Sequence, residues 1–226
     1  MFPLRDENPS LTTPVVTRAL IALNVAVFIY ELTLGPRLNA FVGSFALVPH
    51  SLELALHDHS ALSAAALPLL SSLFLHGGWT HLIGNLWYLW IFGDNVEDRL
   101  GHARFGVFYL VGGVVAGLIH VLTNPDSTLP TVGASGAIAA VLGAYAAAFP
   151  RARVIMLIPL FPIFPILPVP ALFVLGAWFL MQFASGTLAL SAGLSGGVAW
   201  WAHIGGFAFG YLVMALGGAR GAREAA

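Results

Sequence analysis

The sequence predicts an all-α, polytopic membrane protein, a bundle of six transmembrane helices with both termini on the cytoplasmic side. Three observations predict it. First, 58% of the 226 residues are hydrophobic and only 8% are charged, where a soluble domain carries about 25% charged residues; the mean hydropathy is +0.87. Second, six apolar runs approach the roughly 20 residues that cross a bilayer. Third, the positive charges gather on one side of the bundle those runs imply.

The segment 1–14 is expected to be a cytoplasmic tail. It lacks the charged-then-apolar layout of a cleaved signal peptide, so the first apolar run is expected to serve as an uncleaved anchor. The spans are read at 15–34, 79–97, 104–122, 133–149, 169–187 and 196–217, making 15–217 one membrane domain and 218–226 a cytoplasmic C-terminal tail. The run 61–75 is too short to cross and is assigned to a long first loop at the outer leaflet. Residues 154–170 carry Pro159, Pro162, Pro165, Pro168 and Pro170. Proline at every third position removes helix hydrogen bonds, which predicts an extended, polyproline-like connector against the membrane surface.

Every positive charge is an arginine. Arg5, Arg18, Arg99, Arg104, Arg151, Arg153, Arg220 and Arg223 fall on one side and Arg37 alone on the other. That is a positive-inside pattern. The net charge of −1 and the lack of a basic patch leave no basis for a nucleic-acid partner. The absence of cysteine excludes disulfides, thiol catalysis and Cys-ligated metals. His50, His57 and His59 form no set with ligand spacing, so neither metal nor cofactor is expected. Asp94, Glu97, Asp98 and Arg99 close the second span and read as a structural ion-pair network.

The inner arginines act as depth markers. Ser135 precedes Arg151 by 16 residues, His203 precedes Arg220 by 17, and His81 and Asn85 precede Arg99 by 18 and 14. At about 1.5 Å per residue all four lie roughly 21–27 Å above their anchors, one layer recessed below the outer surface of a core about 30 Å thick. Ala202, Gly206 and Gly210 form a small-residue face on the sixth span, and small faces let membrane helices approach backbone to backbone. A contact between spans four and six would bring His203 to Ser135. A serine beside a histidine is a nucleophile beside a base. Gly133 and Gly136 bracket the serine near a helix N-terminus, where free N–H groups favour an oxyanion. His81 and Asn85, four apart on one face, can donate toward the same point. Each feature also has a plain structural reading. A lone membrane serine more often bonds back to its own helix, and Trp87, Trp90, Trp200 and Trp201 read as packing and interface residues.

The motifs together carry more than each alone. His81-Leu82-Ile83-Gly84-Asn85, Gly133-Ala134-Ser135-Gly136 and Ala202-His203-Ile204-Gly205-Gly206-Phe207-Ala208-Phe209-Gly210, in that order on spans two, four and six, resemble the rhomboid family of intramembrane serine proteases. The lead-in Phe74-Leu75-His76-Gly77-Gly78-Trp79 and the exit Val96-Glu97-Asp98-Arg99-Leu100-Gly101 resemble it too, and the likeness spans about residues 15–217 in the six-span bacterial form. The resemblance implies a Ser135–His203 dyad with no acidic third member. It implies an oxyanion hole from His81, Asn85 and the Ser135 N–H, with Gly133, Gly136, Gly206 and Gly210 in support. Its implied substrates are single-span or polytopic membrane proteins held in the lipid bilayer, and the Ala- and Arg-rich, lysine-free composition suggests a bacterial inner membrane. The loop 185–196 is the candidate cap and span five the candidate gate. Two departures stand out. No Trp-Arg pair occurs between residues 36 and 75, and Ala139 occupies the place where some members stack an aromatic ring on the histidine. Two other classes compete: a non-catalytic relative that binds membrane clients, and a small transporter, which would need charged residues through the midplane.

Overall fold

The computed structural model describes residues 2–57, 62–192 and 198–221. In chain order the elements are strand β1 (Phe2–Asp6), helix α1 (Val15–Thr33), three short first-loop helices α2 (Leu38–Phe45), α3 (Pro49–His57) and α4 (Leu62–Ser71), helices α5 (Trp79–Leu100), α6 (His102–Thr123) and α7 (Ser135–Ala148), strands β2 (Arg153–Leu157) and β3 (Ile166–Pro170), and helices α8 (Ala171–Ser191) and α9 (Trp200–Gly221). The six apolar runs correspond to α1, α5, α6, α7, α8 and α9. By length and composition, α1, α6 and α8 are sufficient to cross a membrane.

Helix α7 is the centre. It is only 14 residues long, and every residue from Gly136 to Ala146 is buried. A helix apolar on all sides is one surrounded on all sides. Its neighbours are α5, α6, α8 and α9. The closest approach is to α9. A Cβ on Gly143 would strike the carbonyl oxygen of Phe207, one on Gly206 that of Gly136, and one on Gly210 that of Ala140. The two backbones therefore touch, held by dispersion between small residues. Helix α8 is the opposite case. Only Ala171, Leu175, Gln182 and Gly186 are buried on it.

The start of α1 is fixed by the end of α5. Glu97, fully buried, accepts from the backbone N–H of Val16 (2.9 Å) and Thr17 (2.8 Å) and from Thr17 Oγ1 (2.7 Å). His102 Nδ1 meets Glu97 Oε1, the oxygen that also accepts from Val16, at 2.6 Å. Asp98 takes the N–H of Leu11 and Thr12 and the hydroxyls of Ser10 and Thr12. Glu97 satisfies orphan donors of the α1 N-terminus and meets the positive end of its dipole, while Asp98 holds the chain that leads into α1. The expected ion-pair network among Asp94, Glu97, Asp98 and Arg99 is therefore corrected: Glu97 is a cap supplied to α1 from another helix, and Asp98 anchors the segment before it.

The proline-rich connector is corrected as well. Residues 153–170 form a β-hairpin, and β1 completes a three-stranded antiparallel sheet of order β1-β2-β3. The central strand β2 contains no proline. Pro3 lies on the β1 edge, Pro168 and Pro170 on the β3 edge, and Pro159, Pro162 and Pro165 in the turn. Proline lacks the N–H a central strand must donate, and edges tolerate it. The N-terminal segment is thus paired into the sheet, and Trp87 Nε1 donates to the Pro3 carbonyl at 2.6 Å.

The first loop is anchored without a Trp-Arg pair. Leu47 and Thr131 form a β-bridge, His50 N–H donates to the Ser127 carbonyl (3.0 Å), and Leu47, Leu52 and Val121 share a small apolar cluster. The last link of the loop, the Ser72 carbonyl, accepts the Gly133 N–H at 2.8 Å. That bond ties the loop directly to the chain that leads into α7.

Candidate active site

Ser135 is the first residue of α7. The first intrahelical bond of its turn runs from the Ile138 N–H to the Ala134 carbonyl (2.9 Å). The N–H groups of Ser135, Gly136 and Ala137 therefore have no intrahelical acceptor and point out of the helix end with its positive dipole. Gly133, just upstream, has φ +122°, a conformation that side-chain-bearing residues rarely adopt. The space forbids a side chain too: a Cβ there would sit 2.6 Å from His81 Cε1 and Nε2 and 3.5 Å from Asn85 Nδ2. His81 and Asn85 thus flank the turn that presents Ser135.

On the facing helix, His203 Nε2 lies 2.8 Å from Ser135 Oγ. The histidine is 8% exposed. The same close backbone contact makes this pairing possible. Gly206 lies one turn beyond His203, and the carbonyl it packs on belongs to Gly136, next to Ser135. A hydroxyl and an imidazole at this distance can exchange a proton. Donors converging near a helix N-terminus can hold an oxyanion.

Residues 64–220 match the family model of the Rhomboid domain. The chain belongs to the rhomboid family. It is therefore an integral, multi-pass membrane protein. Along 203 residues it is 28% identical to the mitochondrial Rhomboid protein 1 of Saccharomyces cerevisiae, covering 86% of this chain and 51% of that protein. It is 38% identical over 76 residues to RHOMBOID-like protein 5 of Arabidopsis thaliana (34% of this chain, 25% of that one). It is 33% identical over 98 residues to the mitochondrial Presenilin-associated rhomboid-like protein A of Danio rerio (42% and 26%). The chain spans between a quarter and about half the length of these relatives.

Around this rhomboid's Ser135 and His203 stand further polar and aromatic residues, of which the sequence did not single out Gln182, Trp178 and Glu31. Gln182 of α8, only 4% exposed, places Oε1 2.8 Å from His203 Nδ1. Trp178, one turn earlier on α8, tilts its ring over the imidazole at 5.8 Å between centroids, and Trp200 meets it edge-on at 6.4 Å. The aromatic contact missing at Ala139 is thus supplied from α8 and α9. On the other flank, Asn85 Nδ2 donates to His76 Nε2 at 3.1 Å, and His76 Nδ1 faces the Phe74 carbonyl at 3.3 Å. Glu31, buried on α1, accepts the His76 N–H at 3.2 Å. The signal for Gln182 was present in the sequence: it is the one strongly polar side chain in the apolar run 171–183, and such a residue in a membrane helix has a partner. The candidate cap 185–196 splits in two. Residues 185–191 are the last turns of α8, and 193–196 lie outside the described residues.

Proposed function

We propose that this rhomboid is an intramembrane serine endopeptidase that hydrolyses peptide bonds in or near the transmembrane segments of other membrane proteins. The observation that carries the reading is the 2.8 Å contact between Ser135 Oγ and His203 Nε2 across the α7–α9 packing. In this mechanism His203 takes the Ser135 proton as Oγ attacks the scissile carbonyl. The tetrahedral oxyanion is held by the Ser135 N–H with His81 and Asn85. His203 then returns the proton to the leaving amine, and water releases the acyl group by the reverse sequence.

The reading has six spans with both termini cytoplasmic; the arginine distribution supports it, as do the six apolar helices α1, α5, α6, α7, α8 and α9. A 14-residue α7 rises only about 21 Å, so with its C-terminal end at the inner interface Ser135 stops short of the outer one in a core of about 30 Å. A helical substrate hides its amides in hydrogen bonds, and glycine or alanine near the cut eases the unwinding that exposes them. The sparse burial of α8 supports its role as the mobile wall, and a lysine-free composition supports a bacterial inner membrane, although the curated relatives compared above include mitochondrial proteins.

The test uses purified protein in liposomes with a single-span substrate carrying small residues near its outer end. Wild type cleaves, while Ser135→Ala and His203→Ala remain folded and do not. Cleavage that survives Ser135→Ala would end the reading, and a folded wild type inert on several substrates would favour a client-binding role.

A further inference from the structure

We propose that Gln182 is a positioning residue that holds His203 in the tautomer able to accept the Ser135 proton. The inference rests on the proteolytic reading above and extends it to α8.

An imidazole works as a base through Nε2 only when the ring proton is on Nδ1. In free solution that choice is weakly set. Here Nδ1 faces the carbonyl oxygen of Gln182 at 2.8 Å, an acceptor with no proton to give, so the ring proton sits on Nδ1 and is donated to it. The Nε2 lone pair then faces Ser135 Oγ, also at 2.8 Å. The two contacts lie on opposite sides of one ring, and together they fix both its proton and its plane. Trp178, four residues before Gln182, closes over the ring face.

The placement of Gln182 on α8 argues against an incidental contact. Its neighbours Met181 and Phe183 and the nearby Leu180 are all exposed apolar residues. Gln182 alone turns inward, at 4% exposure. A primary amide removed from water without a hydrogen bond is strongly disfavoured, and leucine would fill an inward position on a lipid-facing helix at no such penalty. The amide is explained by its bond to His203. Because Gln182 sits on α8 and His203 on α9, the orientation of the base depends on α8 being docked against α9. A displaced α8 leaves His203 free to rotate or to take the other tautomer.

The experiment compares wild type, Gln182→Met and Gln182→Glu. Methionine matches the length and removes the oxygen acceptor; glutamate keeps an acceptor at the same reach. Each is reacted with a small fluorophosphonate, which reports Ser135 reactivity without substrate docking, and assayed on the single-span substrate. Gln182→Met is expected to lower both the labelling rate and kcat by about 10- to 100-fold, the range seen when the group that orients a metal-bound histidine is removed, with KM held within about twofold. Gln182→Glu is expected to recover most of the labelling rate. A packing role alone predicts the reverse ranking, since methionine suits an apolar helix better than glutamate does. Where Gln182→Met does not fold, Gln182→Asn keeps the amide but withdraws the oxygen, and carries the same expectation as methionine. A folded Gln182→Met that labels and cleaves like wild type overturns the proposal alone. A wild type that is never labelled at Ser135 overturns the proteolytic reading and this one with it.

Discussion

Replacing Gly206 by alanine adds one methyl group at the closest point between α7 and α9. That methyl would overlap the carbonyl oxygen of Gly136 and crowd Ala139 Cβ at 3.3 Å. The obstacle is backbone on a fully buried helix, so no side chain can rotate away. Relief requires the helices to separate by on the order of 1 Å, and overpacking of this kind destabilises by about 1–3 kcal/mol. The same separation acts on the dyad, because Gly136 adjoins Ser135 and Gly206 lies one turn from His203. A hydrogen bond of 2.8 Å opened by about 1 Å passes beyond the ~3.5 Å at which it ceases to be one. Misplacement of reacting groups by about 1 Å slows catalysis on the order of 100-fold, or roughly 2.7 kcal/mol of barrier. Gly206→Ala is therefore expected to lose activity well beyond its loss in Tm. The control is Gly217→Ala on the same helix, where a Cβ meets nothing within 4 Å and alanine favours the helix by about 1 kcal/mol. It should cleave normally with an equal or higher Tm. The assay is substrate cleavage in liposomes alongside thermal unfolding in detergent. Wild-type kcat and Tm in Gly206→Ala would refute the reasoning, since backbone contact between the helices would then not be what holds the dyad.

Two further predictions concern the end of the bundle where α1 begins and α5 closes. Glu97→Ala leaves the N–H groups of Val16 and Thr17 without their acceptor, and an orphaned buried donor costs about 1–3 kcal/mol; Glu97→Gln, which keeps one acceptor oxygen, should lose distinctly less Tm, and equal losses would remove the cap as the explanation. Burial pushes the Asp6 carboxyl up from its ordinary value, while Tyr145 Oη donates to it at 2.5 Å. Its favourable contribution is therefore complete below about pH 4, the unfolded value, and is lost as pH rises through the raised folded value. Asp6→Asn cannot ionise, so its Tm relative to wild type should climb between about pH 4 and 7; a pH-independent difference would contradict this.

The six helices α1, α5, α6, α7, α8 and α9 were legible because each is one apolar run closed by arginines or by a turn, such as the one at Gly101 with its φ of +79°, whereas the short first-loop helices α2, α3 and α4 were not. The central place of α7 was legible in its glycine and alanine content, and the four polar residues of the site could be assigned one depth from helix rise alone. The sheet was hidden for two reasons. Strand β1 lies about 150 residues before its partner β2, and five prolines masked the proline-free β2 that precedes them. The roles of Glu97, which caps α1, and of Asp98, which holds the chain before it, were hidden because they depend on which helix ends meet, which charge counting does not reveal. Gln182 was not read as a partner because the resemblance implies a dyad with no acidic third member, whereas the group beside His203 is a neutral amide on α8.

The central claim is that Ser135 is reactive because His203 takes its proton. The most direct measurement is the rate of fluorophosphonate attachment, with the adduct mapped by mass spectrometry, in wild type and in folded His203→Ala. The account predicts an adduct on Ser135 in wild type and a rate lower by about 100-fold or more without the histidine. Equal labelling of Ser135 in both proteins, or an adduct on another residue, would contradict it.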